Sequence, residues 1–435
     1  MNPDTVSDVS DVSDPRRRSF KLKPIEALVA QPMLFYGFQT SLKQLQQVLS
    51  SRYRFHFKRN PLRAMPICTS HLMQRLLNTI CSRMCTMLVE RLVCISGKSM
   101  VRDPLRFAVS VLSRRHTIPS STCLKTLTDH TKDVTSVAFH PTAPLFATGS
   151  RDNTAKLWRM SSDGSTATCV ATLSGHSHWV FSVAFHPTLP ILATGSADKT
   201  VKLWRLSSDN SEATCVATLM AHKRTVSSVT FHPTLPILAT AGSCDKTAKL
   251  WHLNLDGTAA TCVATLKGHS SYVLGVKFHP TLPLLATCSD DKTAKLWRLN
   301  SNGTAATCVA TLEGHSGSVR SVAFHPTAPI LATGSYDNTA KIWRINSNFT
   351  AATCVATLEG QSSWVNSVAF HPIAPLLATG SGDSKVKLWQ LNSDGTIASC
   401  VANLAGRSGN VRSVAFHPTK PLLAIGCDNT LKLWR

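Results

Sequence analysis

Histidine, threonine and aspartate recur together with a tryptophan, at fixed spacing, along residues 122–435. An imidazole, a hydroxyl and a carboxylate are the groups that hydrolases combine to activate a nucleophile. The complete set is present several times, however, and a reaction needs only one copy of its site. The chain also has no glycine loop of the kind that cradles phosphates. These patterns argue against an enzyme.

Potential metal ligands are repeated in the same way. A His-Pro pair occurs seven times, at His140, His186, His232, His279, His325, His371 and His417. One imidazole per repeat would keep the rings far apart, and no Cys or carboxylate stands at ligand spacing beside them. A looser group, formed by Cys68, His71, Cys81, Cys85 and Cys94, matches no zinc module. The sequence therefore predicts neither a metal site nor a cofactor.

The elements that carry these residues come from one repeat. The segment GHSHWVFSVAFHPTLPILATGSADKTVKLWRL recurs seven times, with tryptophans 46 residues apart except for one interval of 47 and a last one of 45. Each copy contains four short β-patterned runs, separated by His-Pro, Asp-Asn or Asp-Lys, and Ser/Asn-rich turns. Four antiparallel strands at this period predict one blade of a propeller.

The repeat resembles the WD-repeat β-propeller family, whose signature is a Gly-His pair, about thirty residues of strand, an Asp in a tight turn, and then Trp-Asp. The resemblance covers residues 122–435 and departs in one respect, since no copy has Asp after its tryptophan. It implies an all-β, seven-bladed propeller. The chain ends on the third strand of the seventh copy, so residues 123–127, which match the outer run of the other copies, are predicted to complete that blade.

In this family the recurrent residues form a hydrogen-bonded structural tetrad in each blade. The resemblance assigns four complete tetrads: His130, Thr148, Asp152 and Trp158; His176, Thr194, Asp198 and Trp204; His269, Thr287, Asp291 and Trp297; His315, Thr333, Asp337 and Trp343. The other three blades depart from it. An extra residue is predicted to shift Thr240 out of register in blade three, Gln361 replaces the His of blade six, and Ile425 replaces the Thr of blade seven.

The resemblance also implies a partner-binding face, the top face, built from three positions per blade: the third and fifth residues after the histidine and the residue before the turn Asp. These positions vary while the rest of the repeat scarcely changes, and they are rich in Trp, Tyr and Arg, as interface hot spots are. The predicted partner-binding residues are Asp133, Arg151, Trp179, Phe181, Tyr272, Leu274, Asp290, Arg320, Tyr336, Trp364, Asn366 and Arg412.

Residues 1–121 lack the repeat and are predicted to be a separate, mainly helical or partly disordered extension. They hold 19 basic and 7 acidic residues, and the stretch from Arg52 to Arg59 interleaves basic with aromatic side chains, as nucleic-acid binders do. Charged residues interrupt the most apolar stretch, 69–96, so membrane insertion is not expected.

Two functions remain open. The first is a non-catalytic scaffold or adaptor that docks proteins or peptides on the top face. The alternative is an RNA- or chromatin-associated subunit of a ribonucleoprotein or nuclear complex, suggested by the net charge of +22. The first fifteen residues resemble neither a secretory signal nor a transit peptide, and the 14 cysteines fit a reducing compartment, so the sequence predicts an intracellular protein of the cytoplasm or nucleus.

Overall fold

The computed structural model describes residues 122–392, 398–405 and 409–435. Within them the chain forms seven four-stranded antiparallel sheets, which are the seven blades of a propeller. The predictions for residues 1–121 lie outside the described residues.

The first three blades use twelve consecutive strands. Their bounds are β2 (Val134–Phe139), β3 (Leu145–Ser150), β4 (Ala155–Met160) and β5 (Ala167–Leu173) in blade one; β6 (Val180–Phe185), β7 (Ile191–Ser196), β8 (Thr200–Leu206) and β9 (Ala213–Met220) in blade two; and β10 (Val226–Phe231), β11 (Ile237–Gly242), β12 (Thr247–Leu253) and β13 (Ala260–Lys267) in blade three.

Blades four to six repeat this order. Their bounds are β14 (Val273–Phe278), β15 (Leu284–Ser289), β16 (Ala294–Leu299) and β17 (Ala306–Leu312) in blade four; β18 (Val319–Phe324), β19 (Ile330–Ser335), β20 (Ala340–Ile345) and β21 (Ala352–Leu358) in blade five; and β22 (Val365–Phe370), β23 (Leu376–Ser381), β24 (Lys385–Leu391) and β25 (Ala398–Ala405) in blade six.

Blade seven is assembled from both ends of the repeat region. It contains β26 (Ser413–Phe416), β27 (Leu423–Gly426), β28 (Leu431–Trp434) and, as its outermost strand, β1 (Cys123–Leu127). Leu127 pairs with Leu431 and Cys123 with Trp434. This pairing confirms the predicted closure and gives the edge of β28 a partner.

The first strand of each blade contacts the first strands of both neighbours, so β2, β6, β10, β14, β18, β22 and β26 form an inner ring around a central channel. The second strands are fully buried, and hydrophobic clusters lie between neighbouring blades. One cluster, for example, joins Leu157 of blade one to Val183 and Trp204 of blade two. Because each core is shared, every blade depends on the blades beside it.

A β-bulge near the start of the first strand recurs in blades one to six. In blade one the pairing with β3 shifts between Val134 and Ser136, which leaves Thr135 as the extra residue. An extra residue at a bulge is released from the regular ladder, so its side chain can be redirected. The bulged residues are Thr135, Phe181, Ser227, Leu274, Arg320 and Asn366.

Serine side chains connect the inner strands of neighbouring blades. Ser136 Oγ, for example, accepts a hydrogen bond from the backbone N–H of Val183 in the next blade, at 3.2 Å. The same bond is made at six of the seven interfaces. The interface between blades four and five has Gly275 at this position, directly paired with Cys288.

Candidate partner-binding face

The tetrad residues contact one another inside the blades. In blades one to five, His Nδ1 lies 2.6 to 2.7 Å from an Asp carboxylate oxygen, and His Nε2 lies 2.7 to 2.8 Å from the Thr hydroxyl. The Trp indole N–H donates to the same hydroxyl at 2.8 to 3.0 Å. The histidine precedes the first strand and the aspartate follows the second, so each tetrad ties together two loops at one end of the blade.

The charge states follow from these bonds. The Asp337 carboxylate can only accept, so the proton of the neutral His315 imidazole lies on Nδ1. The Thr333 hydroxyl, which accepts from Trp343, then donates to His315 Nε2. Burial lowers the pKa of His315. Burial alone would raise the pKa of Asp337, but hydrogen bonds from Thr339 and His315 lower it.

The prediction for Thr240 is wrong. Its hydroxyl lies 2.8 Å from His222 Nε2 and 3.0 Å from the indole nitrogen of Trp251, so blade three has a complete tetrad. The extra residue is absorbed in the tight turn after β11, while β11 and β12 keep a continuous register. The turn itself contains two buried polar atoms, Asp245 Oδ1 and Thr247 Oγ1, that have no hydrogen-bond partner.

Blades six and seven depart as their sequences predict. Gln361 replaces the histidine by donating through Nε2 to Thr379 Oγ1 at 2.9 Å, and its own Oε1 has no partner. In blade seven Ile425 offers no hydroxyl, and the indole nitrogen of Trp434 has no hydrogen-bond partner. Both blades therefore bury polar groups that the complete tetrads satisfy.

Backbone hydrogen bonds bring the two predicted rows of the top face together. The residue before the turn Asp donates its N–H to the carbonyl of the third residue after the histidine, as Ala197 does to Trp179 at 2.9 Å and Gly382 to Trp364 at 2.8 Å. In blade three the bond comes instead from Ser243, to Thr225. These bonds place both rows on the same end of the propeller.

The fifth residue after the histidine lies at the mouth of the channel in every blade. A cavity of about 180 Å³ opens there. Its lining includes all seven of these residues: Thr135, Phe181, Ser227, Leu274, Arg320, Asn366 and Arg412. The bulge that frees them from the ladder explains why they converge in blades one to six.

The first aromatic cluster, cluster A, lies across blades one and two. The Arg151 guanidinium stacks over Trp179 at 4.7 Å from the ring centroid, and Phe181 meets Trp179 edge-on at 6.1 Å. A cavity of about 430 Å³ beside them is also lined by His178, Lys199, Arg224 and Thr225. Sequence reasoning missed His178 and Arg224, although their position also varies among the copies.

The second aromatic cluster, cluster B, lies across blades five and six. Tyr336 stacks on Trp364 with 4.5 Å between the ring centroids, and the Arg320 guanidinium lies over the Tyr336 ring, 4.9 Å from its centroid. Trp364 remains 50% exposed. Each cluster combines two aromatic rings with a stacked guanidinium, and cation–π contacts of this kind hold the side chains in place.

Charges at the mouth are only partly neutralised. Asp133 lies 3.2 Å from Arg151 and 2.5 Å from Arg412, and Asp428 lies 3.8 Å from Arg412. Burial and the neighbouring Arg412 lower the pKa of Arg151, against the effect of Asp133. Arg320 has no ion pair within the described residues. The mouth is therefore cationic.

Some predicted partner-binding residues are engaged inside the propeller. The Asn366 amide donates to the Val411 carbonyl of the next blade at 3.0 Å, and the Asp290 carboxylate accepts from Ser271 and from Ser318. The bonds from Asn366 to Val411 and from Ser318 to Asp290 join neighbouring blades, whereas the bond from Ser271 to Asp290 lies within blade four. Tyr272, by contrast, is 45% exposed on the top face.

The other repeated residues also have structural contacts. Each His-Pro imidazole accepts backbone N–H bonds through Nδ1 and packs edge-on against a Phe of the neighbouring blade, as His140 does with Ala143 and Phe185. The cysteines of the outer strands are exposed, because β1 and its counterparts are the outermost strands of their blades. No group of three or more metal-ligating side chains is gathered within the described residues. The same part of the chain has no helix with the length and apolarity to cross a membrane.

Comparison with known proteins agrees with this architecture. Seven segments match the family described as WD domain, G-beta repeat: 121–159, 167–205, 213–252, 260–298, 306–344, 352–390 and 398–435. A stretch of 47 residues, 11% of this chain, is 49% identical to Pre-mRNA-processing factor 19 of Oryza sativa subsp. japonica and spans 9% of that protein. Since the seven matches cover more than half of the sequence, the chain belongs to the WD-repeat family.

Proposed function

We propose that this protein is a non-catalytic scaffold that docks other proteins or peptides on the top face of its propeller. The observation that carries the proposal is the pair of arginine-stacked aromatic clusters, A and B, on the same face of the ring around one cationic mouth. Trp, Tyr and Arg are the residues most enriched at binding hot spots.

The clusters are suited to binding because their side chains are held before a partner arrives. Cation–π and stacking contacts restrict the rotamers of Arg151, Trp179, Tyr336 and Trp364. Binding a partner then costs less conformational entropy, because these side chains are already ordered before it binds. Clusters A and B lie in blades one and two and in blades five and six, so one extended segment that crosses the mouth can contact both.

A scaffold role is also supported by the hydrogen bonding and burial of the side chains that could act in catalysis. The His, Thr and Asp side chains of the first five blades are bonded to one another, with histidine and threonine buried. Activation of a nucleophile needs a hydroxyl that a substrate can reach. The repeated set is thus better explained as support for the loops that carry the clusters.

A paired-variant experiment tests the proposal. Trp179→Ala combined with Trp364→Ala should leave the melting temperature of the full chain nearly unchanged and remove most co-purifying proteins. Truncating one hot-spot aromatic costs about 2 kcal/mol of binding, or roughly thirtyfold in affinity. The matched control, Lys202→Ala with Lys387→Ala on the repeated strand face, should lose few partners. Full retention of partners by the tryptophan variant would contradict the proposal.

The second candidate function is that of an RNA- or chromatin-associated subunit of a ribonucleoprotein or nuclear complex. It is favoured by the net charge of +22 and by the short match to a protein named for pre-mRNA processing. Binding to nucleic acid would weaken steeply with added salt, because phosphate contacts release counterions. If the lysine control is the more damaging variant and retention on RNA falls steeply with salt, this function replaces the first. We propose the cytoplasm or nucleus as the compartment for either function.

A further inference from the structure

One residue distinguishes blade four from the rest of the inner ring. The second-to-last residue of the first strand is alanine in five blades, at Ala138, Ala184, Ala323, Ala369 and Ala415, and it is Thr230 in blade three. In blade four it is Lys277. A ring of small side chains is therefore interrupted by a single long, basic one.

Lys277 lies on the inner ring of strands that surrounds the central channel. It belongs to β14, whose outer edge is covered by three further strands and which is flanked by β10 and β18. Lys277 is nevertheless exposed to solvent, while burial lowers the pKa of its ammonium group. A side chain that solvent reaches although protein surrounds it fits a channel that runs inside the ring.

Lys277 has no carboxylate partner. Within the described residues no Asp or Glu lies within ion-pair distance of its ammonium, and its side chain makes no hydrogen bond. The surrounding protein disfavours the charged form of its ammonium group, although solvent reaches it. An anion bound beside the ammonium would favour that charged form.

The mouth of the same channel is cationic as well. Leu274 lines the mouth, and Lys277 follows three residues later, which is about 10 Å further along an extended strand. Arg151, Arg320 and Arg412 line the mouth with Leu274. Positive groups at the entrance and inside a narrow passage attract anions into it.

The cavity at the mouth of the channel, which Lys277 does not line, is small. The mouth cavity of about 180 Å³ is smaller than the roughly 300 to 1,000 Å³ of pockets that enclose drug-sized ligands. We propose that the central channel binds a small free oxyanion of the phosphate or carboxylate class, and that Lys277 is the residue that binds it. The ammonium can donate up to three charge-assisted hydrogen bonds to such an anion.

Calorimetric titration of the full chain with inorganic phosphate, at constant ionic strength, tests the site. The Lys277→Ala variant copies the residue of five other blades, and Lys277→Thr copies Thr230, so both should fold. Phosphate should bind the unmodified protein with at least tenfold higher affinity than either variant. Lys277→Arg should retain binding. The matched control is Lys295→Ala in the same blade, where the lysine ammonium makes an exposed hydrogen bond to Thr311, and this variant should bind phosphate as the unmodified protein does.

Three results would overturn the proposal. Equal phosphate affinity in Lys277→Ala and the unmodified protein would show that Lys277 does not bind the anion. Loss of phosphate binding in Arg320→Ala but not in Lys277→Ala would move the site to the mouth. Binding of a short acidic peptide in a Lys277-dependent manner, with no binding of phosphate, would identify the ligand as the side chain of a docked partner rather than a free anion.

Discussion

Replacing Thr333 with valine removes one hydroxyl from the centre of the blade-five tetrad. That hydroxyl lies 2.8 Å from the Trp343 indole nitrogen and 2.8 Å from His315 Nε2, and Thr333 is fully buried. Valine has nearly the same shape, so the change leaves little cavity. It leaves two buried polar groups without a partner, at about 1 to 3 kcal/mol each. We expect the free energy of unfolding to fall by about 2 to 6 kcal/mol.

Thr357 of the same blade provides a matched control. Its hydroxyl accepts a 2.9 Å bond from Lys341 Nζ, but both groups are exposed and exchange that bond for water. Thr357→Val should therefore change the stability by no more than about 0.5 kcal/mol. Urea unfolding of the full chain, followed by tryptophan fluorescence, measures both variants. A difference between them below about 0.5 kcal/mol would refute the role assigned to the tetrad.

Three further predictions concern titration, closure and packing. Burial and the neighbouring His325 lower the pKa of His279 to about 4, whereas the unfolded chain takes up its proton near pH 6.5. Stability should thus fall as the pH drops from 6.5 to 4, by about 1.4 kcal/mol per pH unit for each such histidine, and urea midpoints that stay constant from pH 7 to 4.5 would contradict this. Deletion of residues 1–128 removes β1 and should lower the melting temperature relative to deletion of 1–115; equal values would contradict the closure. Gly275→Ser should destabilise by about 1 to 3 kcal/mol, because an added Cβ would lie 2.7 Å from Cys288 Sγ, and Cys288→Gly should rescue it, as thermal unfolding of both variants can show.

The repeat made most of the fold predictable from the sequence. Because the strand pattern is copied seven times, comparison of the copies shows where each strand begins and ends. The match of residues 123–127 to the other outer runs identified the strand that closes the ring. The position of the top-face residues followed for the same reason, since one loop geometry is used seven times.

Contacts that differ between blades could not be read from the repeat. From the sequence alone, the extra residue of blade three could lie in the strand or in the turn. The continuous pairing of β11 with β12 shows that it lies in the turn. The bond from the Asn366 amide to the Val411 carbonyl of the neighbouring blade could likewise not be predicted from the repeat. Lys277 attracted no attention in the sequence, because only the closed inner ring makes its position a channel position.

Site-specific photo-crosslinking tests the central claim, that partners dock on the top face, most directly. A photoreactive residue would be placed at Tyr272, an exposed top-face position, and in a second protein at Val263, an exposed position on the outer strand of blade three. We predict protein adducts at position 272 that are lost when Trp179 and Trp364 are both replaced with alanine, and few adducts at position 263. Adducts at position 263 with none at position 272 would contradict the account.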